Sequence, residues 1–135
     1  MPSDLEKPIP SYSYASPEHD DLVRALSVSE KELGPDHPST ARSLNNLAIL
    51  YNSQGLYEEA LPLFQRALTI SEQALGPDHP DVALSLNNLA SLFLASNRKK
   101  EAEHLLERAA RIMERALGPD HPLTKEVRQN LEATQ

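Results

Sequence analysis

The chain has 135 residues, a formal net charge of −7 and no cysteine, which excludes disulfides and thiolate metal sites. It offers no basic patch of the kind that nucleic acid or an anionic membrane requires. No run approaches the roughly 18–20 apolar residues of a membrane span, and "MPSDLEKPIP" has no apolar signal region, so a cytoplasmic protein is expected.

Residues 1–21 hold four prolines, five acids and one lysine. Such a segment buries too little apolar surface to order itself and is expected as an extended or disordered tail. From Leu22 the pattern becomes periodic. Residues 22–33, "LVRALSVSEKEL", are expected as a lone helix. The stretch "LGPDHP" follows, and it recurs at Leu33, Leu75 and Leu117, in steps of 42 residues. Aligning 34–75 with 76–117 without gaps matches 22 of 42 positions. Repetition at this period marks a solenoid.

Each repeat divides into two helices. In "STARSLNNLAILYNSQG" the residues Leu44, Leu47, Ala48 and Tyr51 share one side of a helical wheel. Arg42, Asn46, Ile49 and Ser53 lie nearly opposite, which makes the helix amphipathic. The second copy sets Leu86, Leu89, Ala90 and Phe93 against Leu84, Asn88, Ser91 and Ala95. Residues 57–75 form the second helix, with Ala60, Leu63, Phe64, Ala67, Leu68 and Ile70 on its apolar side. The small alanines allow close helix packing. Residues 118–135 are expected as a C-terminal capping helix. Its stripe is Leu123, Val127 and Leu131, and Arg128 and Glu132 stand at two positions that are apolar in the repeats. The expected fold is all-α: an α-solenoid of antiparallel helix hairpins with about six helices, comprising the lone helix, repeat 34–75, repeat 76–117 and the final helix.

The recurring "LNNLA", "EA", "RAL" and "LGPDHP" blocks resemble tetratricopeptide repeats of the 42-residue kinesin-light-chain type over residues 22–135. The resemblance implies hairpins stacked into a right-handed superhelix. It also implies that the first helices line a concave groove that binds peptides or partner proteins, and that the Asn of this motif takes part. Where kinesin light chains often carry an Arg on the second helix, this chain has Ser29, Ser71 and Met113. Arg42 is the lone base on the predicted groove, so a clamp for acidic motifs is not expected.

His37, His79 and His121 each follow Asp and precede Pro. Equivalent residues of stacked repeats lie on the order of 10 Å apart, whereas zinc holds its ligands at about 2.1 Å. No metal or cofactor site is therefore expected. The plainer account is a helix stop at Gly-Pro, an N-cap at Asp or His, and Pro at the first helical position. His19, among Glu18, Asp20 and Asp21, is at most a weak cation site, and His104 belongs to a solvated face. No Ser/His/Asp constellation or phosphate loop appears, so no enzymatic activity is expected.

Asn46 and Asn88 point to the middle of the polar face, Asn130 repeats that position, and Asn45 and Asn87 flank it. An amide both donates and accepts, so it suits an extended peptide backbone. It equally suits hydrogen bonds across the stack. The expected groove is Arg42, Asn45, Asn46, Ile49, Ser53, Leu84, Asn87, Asn88, Ser91, Ala95 and Asn130. The expected partner is a protein or peptide. The lone helix has no first-helix neighbour, so either the tail, with its "IPSYSY", or a second copy is expected over that edge, the latter giving a homodimer. The alternative role is a self-assembling structural solenoid.

Overall fold

The computed structural model describes residues 16–135. It contains α1 (Pro17–Glu32), α2 (Pro38–Ser53), α3 (Tyr57–Leu75), α4 (Pro80–Ala95), α5 (Lys99–Leu117) and α6 (Pro122–Glu132). No strand occurs among the described residues. The expected tail and its "IPSYSY" fall on residues 1–15, outside the described ones. One boundary needs correction. Residues 17–21 are helical, because Ser16 caps α1 by accepting the His19 N–H at 3.0 Å and Pro17 opens the helix. Glu18 and Asp20 then favour the positive helix start.

The linker chemistry is now specific. His37, His79 and His121 are the N-caps of α2, α4 and α6. Each imidazole Nδ1 accepts the backbone N–H two residues on, from Ser39 at 3.0 Å, Asp81 at 3.0 Å and Leu123 at 3.1 Å. This geometry puts the ring proton on Nε2. Asp36, Asp78 and Asp120 are exposed and outside the cap position. Gly76 and Gly118 follow their helices at φ 92°, ψ 156° and φ 89°, ψ 162°. That extended region with positive φ is open essentially to glycine alone.

α2 packs on α3 and α4 on α5 as hairpins, α3 and α5 stack on the next first helix, and α1 packs on α2. The larger core gathers around α4 and α5, with Phe64, Leu86, Leu92, Leu106 and Met113 fully buried. A smaller cluster of Ala41, Leu44, Ala67 and Ile70 joins α2 to α3, with Leu26 of α1 against it.

Successive repeats are keyed by one recurring arginine. Arg66 pairs with Glu30 at 2.9 Å and donates to the Pro35 carbonyl at 3.1 Å. Forty-two residues later, Arg108 pairs with Glu72 at 2.8 Å and donates to the Pro77 carbonyl at 3.2 Å. Half-exposed pairs contribute little energy, so their role is register. The third acceptor, Glu114, pairs with Arg128 of α6. The C-terminal end thus fills its own acceptor. The N-terminal end differs: α1 has no buried residue, and Val23, Val28 and Leu33 are exposed.

The start of α1 is tied down by a further polar contact. His19 Nε2 lies 2.8 Å from the Tyr51 hydroxyl at the far end of α2, so His19 belongs to the fold rather than the tail. Burial first, and nearby Glu59 second, push the Tyr51 phenol above its ordinary value of 10.0. A raised phenol favours the fold while it is neutral. Its contribution is complete below pH 10 and is lost as pH rises beyond that. Tyr51→Phe removes the hydroxyl and keeps the ring. Faster amide exchange is expected in the first turns of α1, with α4 and α5 unchanged; equal protection in both proteins would refute the role of this contact.

Candidate functional site: the recess between α2 and α4

The wheel assignments of α2 hold in three dimensions. Arg42, Asn46, Ile49 and Ser53 are exposed, whereas Leu44, Leu47 and Ala48 are buried. Ile49 keeps 46% of its surface, an unusually open position for a large apolar side chain. Between α2 and α4 lies a recess of about 180 Å³. Arg42, Asn45, Asn46 and Ile49 line it from α2, and Leu84 and Asn88 from α4. Six of the eleven expected residues therefore converge there.

The other five do not line this recess. Ser53 turns its hydroxyl onto the Leu50 carbonyl at 2.7 Å, and Ser91 onto the Asn87 carbonyl at 3.0 Å. Ala95 is exposed near the end of α4. Asn87 is withdrawn from any groove. It is 5% exposed, donates to Glu126 Oε2 at 3.1 Å, and its Oδ1 accepts from Asn130 Nδ2 at 2.9 Å. Asn130 is engaged by the same bond. Burying an amide requires partners, and α6 supplies both. The α4–α6 junction is thereby closed. At the equivalent α2–α4 junction, Asn45 only reaches Ser85 Oγ at 3.4 Å. Asn46 and Asn88 make no side-chain hydrogen bond there among the described residues.

The structure adds residues absent from the expected set. Asp81 enters from the first turn of α4, and Ser71 and Leu75 close the floor from the end of α3. Asp81 stands seven residues before Asn88, about 20° away on the wheel, so its face was readable. Ser71 and Leu75 carry no signal in a first-helix wheel, because only tertiary packing brings α3 beneath α2 and α4. Ser71 is uncharged, so Arg42 is the one cation of the lining.

Arg98, Lys99 and Lys100 form a short basic cluster at the α4–α5 turn, and its first member is engaged. Arg98 lies over the Phe93 ring at 4.5 Å and pairs with Glu101 at 3.0 Å. The Glu101 carboxyl is held below its ordinary range by its own backbone N–H first and by Arg98 second. His104 is exposed, 3.9 Å from Glu107.

The family model for the tetratricopeptide repeat matches residues 20–73 and 47–115. The chain belongs to the tetratricopeptide repeat family. Its right-handed solenoid of helix hairpins is shared with solved kinesin-light-chain-like proteins. One, from Podosopora anserina, has nearly identical TPR-like repeats; it is 28% identical with a TM-score of 0.77, over 85% of this chain and 54% of the other. Another, BtubC (BKLC) from P. vanneervenii, is 25% identical with a TM-score of 0.77, over 85% of this chain and 46% of the other. The chain spans about half the length of these structures. No curated protein matches it. No helix among the described residues is long and apolar enough to cross a membrane. Tetratricopeptide repeats are in general protein–protein interaction modules, and that general role extends to this chain.

Proposed function

We propose that the chain is a non-catalytic adaptor of the cytoplasm that captures an extended peptide segment of a partner protein in the α2–α4 recess. The observation that carries this is the pair Asn46 and Asn88. They occupy the same register on neighbouring first helices, beside an exposed Ile49, with amides that no side chain among the described residues satisfies. Such amides can hold a peptide backbone while Ile49 and Leu84 receive an apolar side chain. Asn45 supports the floor through Ser85.

The double variant Asn46→Ala, Asn88→Ala tests it. Both side chains are at least partly exposed and make no side-chain hydrogen bond among the described residues, so helix content and oligomeric state are expected to stay unchanged. Proteins retained by the wild-type chain from lysate are expected to be lost. Retention of the same proteins by the variant would overturn the groove.

A second role, self-assembly through the N-terminal helix, has its own observation in the exposed Val23 and Val28 of α1 and Leu33 at its C-cap. Light scattering across a concentration series separates the two: Val28→Glu should reduce the mass only if α1 meets a second copy.

A further inference from the structure

We propose that the recess selects a segment carrying an acidic and a basic residue next to each other, with an apolar residue about three positions away. This rests on the groove proposed above and adds the side-chain chemistry of its ligand. Arg42 and Asp81 are the two charges of the lining; every other residue there is neutral. Neither makes an ion pair among the described residues, with each other or with a third group. Opposite charges thus stand in one recess without neutralising each other. A wholly acidic ligand would answer Arg42 and be repelled by Asp81, and a wholly basic one the reverse. A segment bearing both signs answers both.

The layout fixes the spacing. α2 and α4 share a 42-residue register, so Arg42 is level with Leu84 and Asn46 with Asn88. Asp81 comes three residues before Leu84, and Ile49 seven after Arg42. At 1.5 Å per helical residue, Arg42 and Ile49 are roughly 10 Å apart with the amides between, and Asp81 stands about 4.5 Å further out. An extended segment lying along the recess rises about 3.3 Å per residue and covers the distance from Arg42 to Ile49 in about three residues. The motif is also short, because the next junction is already occupied by Asn87, Asn130 and Glu126.

The test is selection of random short peptides displayed on phage against the full chain. Enriched peptides are expected to carry an adjacent acid and base, with an apolar residue about three positions off. Arg42→Glu or Asp81→Lys is expected to weaken such a peptide about fivefold, the effect of one exposed charge contact. The double variant R42E/D81K is expected to select the acid and base in exchanged order. Peptides that need Asn46 and Asn88 but show no charge pattern would overturn the selectivity and leave the groove standing. Peptides indifferent to Asn46→Ala, Asn88→Ala would overturn the groove itself.

Discussion

Leu86→Ala is expected to cost about 2–5 kcal/mol of folding free energy, the range for truncating a fully buried leucine. Leu86 is 0% exposed in the larger core. Its register partners show how one sequence position meets different surroundings. Leu44 is likewise 0% exposed but belongs to the smaller cluster beneath α1, whereas Arg128 keeps 55% of its side chain in solvent. Leu44→Ala is expected to cost less than Leu86→Ala, because fewer neighbours surround it. Arg128→Leu is expected to cost under about 1 kcal/mol, since an exposed pair with Glu114 contributes little. A domain of this size has only about 5–15 kcal/mol in total. In a stacked array each unit depends on its neighbours, so the loss at α4 should loosen α3 and α5 together. Urea unfolding followed by circular dichroism measures the order. Equal costs at positions 44, 86 and 128 would refute a core centred on α4.

How much of this was legible follows from where each signal resides. The α3 limits were readable from one period, because its apolar spacing and flanking glycines are local. The start of α1 was not, since the prolines of the first twenty residues outweighed Ser16, Pro17 and Glu18, a good helix opening. The exposed face of α2 was legible from the wheel alone. Asn87 was not, because its fate depends on Glu126 and Asn130, about forty residues away, and no helical period encodes that meeting. The same holds for Arg66 and Arg108, whose partners lie 36 residues upstream. Local periodicity thus determines which face is dry. The partners of polar groups across the stack come from the fold.

The largest effect outside the core is expected from the linker histidines. Replacing His37, His79 and His121 together by alanine should cost about 1.5–6 kcal/mol, three times the roughly 0.5–2 kcal/mol of one lost N-cap. The caps are one repeat apart and share no partner, so their costs should add. Asparagine at the three positions should restore most of the loss, because its side-chain oxygen can accept the same N–H. Removing Asp36, Asp78 and Asp120 instead should cost little, since all three are exposed and none caps a helix. Thermal unfolding of the three triple variants, with amide exchange at the first turns of α2, α4 and α6, separates them. Were the aspartates to matter as much as the histidines, acid and imidazole would be acting as a unit. The cap geometry predicts the opposite, because each Nδ1 is already occupied by a backbone N–H and is unavailable to a metal or a proton in transit.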